Sequence, residues 1–306
     1  MPSSSAPIGT VQRRSTGQDV LFTPLGAGVR WAIILVATLA LIGAISLMSM
    51  GLAPVAEHIL VQGTLGTGII AAAITQSSSF VTLMGSGAVV LGANLGTCFT
   101  AGVVAVVFRH SFLRASTAFF LHFWVNAVGV LLFIPFITEL PTSDLHPIPP
   151  IHWVWSIVGL VLLYVAIRTI TVQLRVLMSA GQTGHVGFWV GFFLASILQS
   201  STAITAAAVP MAAVRAVSAR RLLRLISGTN LGTCTTAWLF VARTGNSEGA
   251  TLHLVFNLVM VALVALFPDV FLALARTCAR HSTPLRLVIF LAVMFFALPL
   301  ASMFLV

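Results

Sequence analysis

Charge is what this sequence has least of. Only 7% of its 306 residues are charged, there is no lysine, and just six acids occur: Asp19, Glu57, Glu139, Asp144, Glu248 and Asp269. Soluble domains carry about 25% charged residues, so composition excludes an ordinary soluble globule. The fifteen arginines give a formal net charge of +9. They stand singly or in small groups between apolar runs, which is topology signalling and excludes a nucleic-acid-binding face. Cys98, Cys234 and Cys278 have neither CxxC nor zinc spacing and read as small packing residues in or beside apolar runs, so no transition-metal site is expected. The first 28 residues are polar and contain no apolar stretch of signal-peptide type. They read as a cytosolic tail.

What fills the chain is apolar. Hydrophobic residues make up 58% and the mean hydropathy is +1.08. Runs at 29–50, 115–137, 153–172, 222–240, 252–267 and 287–306 approach the roughly 20 residues of a transmembrane helix. The fold expected is therefore an all-α polytopic membrane protein.

The chain is also written twice. "ITQSSSF" at 74–80 returns as "ILQSSTA" at 197–203, "LGANLGTCFTA" at 91–101 as "SGTNLGTCTTA" at 227–237, and "HFWVN" at 122–126 as "HLVFN" at 253–257. Three motifs in the same order establish an internal duplication. Arginine counting sets its geometry. If both Gln-Ser-Ser segments are re-entrant hairpins, at about 62–91 and 185–214, each unit has three spans. These are about 29–50, 92–108 and 115–137, then about 152–172, 222–241 and 250–270. Fourteen arginines then face the cytosol and only Arg243 faces outward; full crossings would make the split ten to five. An odd number of spans inverts the second unit. The expected organisation is a cytosolic tail 1–28, a first inverted repeat 29–137, an extracytoplasmic linker 138–151, a second repeat 152–275, and an extra helix in 276–306, about seven transmembrane helices in all.

Polar, irregular backbone at membrane depth is tolerated where protein buries it or it lines a wet cavity. A broken helix offers free N–H groups and a partial positive charge to an anion, and serine hydroxyls add donors. The opposing helix end offers carbonyl oxygens, which suit a hard cation such as sodium, and Gln76 and Gln199 can add amide oxygens. No acid lies within the matched motifs, so neutral oxygens must serve as coupling ligands. That favours sodium over protons. Asn94 and Asn230 fit either a helix cap or a ligand. His122 and His253 read as residues that orient neighbours, and the four-residue step to Asn126 and Asn257 puts each His–Asn pair on one helix face.

These motifs resemble the type II sodium–phosphate cotransporter family, including its bacterial members. The family hallmark is a duplicated Gln-Ser-Ser-Ser, each copy followed by Gly-x-Asn-Ile/Leu-Gly-Thr. Here these are Gln76–Ser79 with Gly92–Thr97, and Gln199–Ser201 with Gly228–Thr233, over about residues 29–275. The resemblance implies sodium-driven phosphate transport across a bacterial cytoplasmic membrane, with no enzyme activity and no cofactor beyond the coupling sodium ion. Phosphate would sit near Ser77, Ser78, Ser79, Ser200, Ser201 and Thr202. Sodium would use Gln199, Ser200, Thr229, Thr233, Thr236 and Asn126, with Gln76, Thr97 and Asn257 as counterparts and Asn94 and Asn230 as further ligands.

Three departures stand out. Thr202 replaces a serine. Cys98 and Cys234 replace Ser or Thr. Phe123 stands where electrogenic animal members have an aspartate, which argues against a third sodium site of that kind. The soluble regulatory domain that some bacterial members add does not appear through Val306. Three rival readings share the motifs: transport of another oxyanion or phosphate export, an intramembrane serine hydrolase using Ser86 with His122 or His253, and a structural membrane scaffold.

Overall fold

Small residues decide how closely apolar helices approach, and their positions organise this molecule. The computed structural model describes residues 26–60, 63–75, 87–137, 187–198, 200–244 and 247–303, together with 154–155, 157–162, 164–166 and 169. Among these, every regular element is helical. In chain order they are α1 (Ala27–Leu60), α2 (Leu65–Thr75), α3 (Gly87–Gly96), α4 (Cys98–Val107), α5 (Phe112–Phe133), α6 (Gly187–Leu198), α7 (Ser201–Ala213), α8 (Ala219–Thr244), α9 (Ser247–Leu266), α10 (Pro268–His281), α11 (Pro284–Ala292) and α12 (Leu298–Met303). A π-helical segment, Val293–Ala297, joins the last two.

Four stretches among the described residues are long and apolar enough to cross a membrane: Gly87–Val107, Arg109–Phe136, Ser247–Leu266 and Pro284–Ser302. The first comprises α3 and α4 and has 21 residues, about 31 Å at helical rise, which matches a hydrocarbon core of about 30 Å. Large apolar side chains point away from the protein, among them Ile197 at 74% exposure and Leu266 and Leu285 at 70% each. With lipid as the surrounding solvent these are stable positions.

Helix α2 packs on α3, and α6 packs on α8, through the same contacts. A Cβ added to Gly96 would lie 2.8 Å from the Ala72 Cβ, and one added to Gly232 would lie 2.8 Å from the Ala195 Cβ. Gly92 meets the Leu65 carbonyl as Gly228 meets the Phe188 carbonyl, and Gly68 meets Val89 as Gly191 meets Leu225. Each pairing relates the first copy to its equivalent in the second. The glycines of the repeated Gly-x-Asn-Leu-Gly motif therefore serve close backbone approach. The duplication is thus present in packing as well as in sequence. The copies differ in length here: in the second, α7 and its following turn lead from the serine motif to α8. The first copy has 13 fewer residues there, since the motif offsets are 123 and 136 (199 − 76 and 228 − 92).

Several boundaries differ from the sequence expectation. The helix carrying Asn94 is already formed at Gly87, ahead of the expected boundary near 92. The span expected at 250–270 ends at Leu266, because Phe267 leaves helical geometry and Pro268 opens a new helix, α10. That helix is amphipathic: it buries Phe271, Leu272, Ala275 and Ala279 and carries Asp269, Arg276 and Arg280. It packs along α5. The unpaired C-terminal helix rests on the first copy, with Gly66 against Pro299 and Gly102 against Leu291.

Candidate functional site

The repeated polar residues converge in the interior. Asn94, Thr97, His122, Asn126, Asn230, Thr233, His253 and Asn257 are all buried, on α3, α5, α8 and α9 or, for Thr97, at the α3–α4 junction. In an apolar chain such groups must find one another. The Asn230 Nδ2 donates to the Asn126 Oδ1 across the two repeats at 3.1 Å. The His253 Nε2 lies 3.2 Å from the Asn94 Oδ1, also across the repeats. Each Gly-x-Asn asparagine thus reaches the opposite copy's His-x-x-x-Asn helix.

The same local device recurs in both copies. The Asn126 Nδ2 donates to the His122 carbonyl at 2.9 Å and to the Cys98 Sγ at 3.3 Å. The Asn257 Nδ2 donates to the His253 carbonyl at 2.9 Å and to the Cys234 Sγ at 3.4 Å. In the sequence these cysteines have the look of packing residues alone. They also accept amide hydrogen bonds, and the available signal was that both follow the same repeated threonine.

The cross-repeat bonds are not symmetric. Asn230 donates to Asn126, whereas Asn94 makes no equivalent bond to Asn257 and meets His253. The Asn257 Oδ1 has no hydrogen-bond partner among the described residues, while the His122 side chain lies against Asn230. Neither Asn94 nor Asn230 caps a helix. Both lie within helices, and the Asn94 Nδ2 turns back to the Val90 carbonyl at 2.9 Å.

Hydroxyl protons sort the remaining residues. The Thr97 Oγ1 donates to the Asn94 carbonyl at 2.9 Å, the Thr233 Oγ1 to the Asn230 carbonyl at 2.7 Å, and the Thr229 Oγ1 to the Leu225 carbonyl at 2.8 Å. With their protons committed, these oxygens present only lone pairs, which suit a cation. Ser200 is the reverse. Its Oγ caps α7 by accepting from the Ala203 N–H at 3.1 Å, which leaves its own proton free to donate. Ser201 is buried, and the buried Thr202 Oγ1 has no partner among the described residues. The start of α7 therefore gathers unspent donors at a helix N-terminus, an arrangement suited to an anion.

Gln76, Ser77, Ser78, Ser79, Ser86 and Gln199 lie outside the described residues, as does the side chain of Thr236. Phe123 is buried in an aromatic cluster, with ring centroids 5.1 Å from Phe290 and 5.6 Å from Trp124.

Residues 157–302 match the family model described as Na+/Pi-cotransporter. The matched span holds the second copy of all three motifs. Sodium-dependent phosphate transport protein 2C of Mus musculus is 33% identical over 130 residues, covering 39% of this chain and 22% of that protein. The protein of the same name from Rattus norvegicus matches to the same extent. These matches support the type II sodium–phosphate cotransporter family. The alignment spans about a fifth of the relatives' length, and no solved structure matches. The family match over residues 157–302 and the apolar helices together support an integral membrane protein.

Proposed function

We propose that the chain is a sodium-coupled transporter of inorganic phosphate, working by alternating access around one site shared by its two repeats. The observation that carries this reading is that the Asn and His residues of both copies converge in the interior, with hydroxyl protons spent at Thr97, Thr229 and Thr233 and free at Ser200. The acceptor set at Thr97, Asn126, Thr229, Thr233 and Asn257, joined by Gln76, Gln199 and Thr236, holds sodium. The donor set at Ser200, Ser201 and Thr202, joined by Ser77, Ser78 and Ser79, holds phosphate.

The repeats are inverted, related by an axis in the membrane plane that brings the two serine segments together near mid-depth. Sodium bound first neutralises part of the anion's charge and orders the helix ends that hold it. Alternating access then amounts to movement of one repeat against the other around a fixed site. The fall of sodium down its gradient drives the phosphate, because the two ions are stable in the interior only together.

Uptake of radiolabelled phosphate into proteoliposomes tests the function. An inward sodium gradient should give uptake that an equal potassium gradient does not. Equal uptake in both salts would refute sodium coupling. Sodium-driven uptake of sulfate in preference to phosphate would refute the cargo.

A further inference from the structure

Five arginines that the transport site does not use meet at one cavity. Arg114 of α5, Arg215 in the turn between α7 and α8, Arg221 in the first turn of α8, and Arg276 and Arg280 of α10 line a space of about 560 Å³. No acid lines it. The nearby acid Asp269 forms an exposed ion pair with Arg220, and neither residue borders the cavity. A topology signal requires arginines on the correct side of the membrane, without requiring three distant stretches of chain to converge.

The convergence is held in place. The Arg114 Nε donates to the Ala213 carbonyl at 2.9 Å, and its terminal NH2 group to the Ser111 Oγ at 3.1 Å. That fixes one guanidinium between α5 and the end of α7. Arg215 adopts a left-handed backbone (φ 62°), and among the described residues no other non-glycine does so.

We propose that this cavity binds a ligand carrying two or more phosphate groups, on the face that arginine counting assigns to the cytosol. Guanidinium groups are permanently charged and their forked donors match phosphate oxygens. Five such charges without an acid call for a polyanion rather than a single phosphate. The volume lies in the range of about 300–1,000 Å³ typical of small-molecule sites. Two sources present this chemistry, an anionic phospholipid headgroup and a soluble polyphosphate. Leu113, Val217 and Leu222 in the lining would accommodate the start of an acyl chain. Either occupant would tie α10 and α5 to the turn that follows α7. The proposal stands apart from the transport reading, since it concerns other residues.

The full chain, purified in detergent in buffer free of sodium and phosphate, is titrated with inorganic tripolyphosphate, with cardiolipin, or with phosphatidylcholine as the neutral lipid. The readout is the thermal unfolding midpoint. Tripolyphosphate or cardiolipin should raise it saturably, and phosphatidylcholine should not. A response to tripolyphosphate alone identifies a soluble ligand, and one to cardiolipin alone identifies a lipid. The double variant R276Q/R280Q should weaken the response at least tenfold, and R221Q, on a different element, should weaken it as well. R286Q, which removes an arginine outside the cavity, should leave it unchanged. No response to either anion overturns the site, as does an equal response in R221Q and the native chain.

Discussion

Replacing Asn230 by alanine removes the donor to the Asn126 Oδ1 and leaves that acceptor in the interior. Asn126 is 1% exposed, so water does not replace the lost partner. An orphaned buried acceptor costs about 1–3 kcal/mol. Pairwise coupling across helices in membranes is smaller, averaging about 0.6 kcal/mol with a maximum of about 1.7. The first figure applies to the single truncation and the second to the pair. Asn230→Ala should therefore lower stability by about 1–3 kcal/mol, and a cycle with Asn126→Ala should show coupling of about 0.6–1.7 kcal/mol. Sequence symmetry makes Asn94 and Asn257 the equivalent pair. In the structure Asn94 faces His253 instead, and the Asn257 Oδ1 has no partner among the described residues. That second cycle should be additive to within about 0.5 kcal/mol. Equilibrium unfolding in mixed micelles, run on native, single and double variants, measures both. Equal coupling in the two cycles would refute the asymmetric network.

Gly232→Ala should destabilise by about 1–3 kcal/mol through overpacking, because its Cβ would press on Ala195 and the Phe192 carbonyl; an unchanged unfolding midpoint would contradict the close approach of α6 and α8. Ser78→Ala and Ser201→Ala should each weaken phosphate binding about ten- to a hundredfold, the cost of one donor to a charged group; a silent Ser78→Ala beside an inactive Ser201→Ala would show that only one repeat binds phosphate. Cysteines at positions 57 and 143 should react with impermeant reagent from outside and one at 220 only from inside, and labelling of 57 and 220 from one side would defeat inversion. With Phe123 in an aromatic cluster, phosphate should move with two sodium ions and no net charge, so a phosphate-dependent current would count against it.

The duplication was legible because its motifs are short, polar and set in apolar surroundings. Their purposes were less so. The glycines of Gly-x-Asn-Leu-Gly fall within the expected spans, but nothing in the sequence shows that they set an interhelical distance. Asn94 fits a cap in the sequence, but its helix is already formed at Gly87. Its partner His253 is 159 residues away, a pairing that periodicity does not encode. The helix α10 was missed because hydropathy merged its beginning with the preceding span. Pro268 after Phe267 was the available start signal. The five-arginine cavity was invisible for the same reason: its members come from three stretches, each of which alone looks like a topology signal.

Equilibrium binding of radiolabelled phosphate to the purified chain, in sodium and then in potassium, tests the shared site most directly. The account predicts one phosphate per chain, bound in sodium and largely lost in potassium. Two phosphates per chain, or the same affinity in both salts, would contradict it.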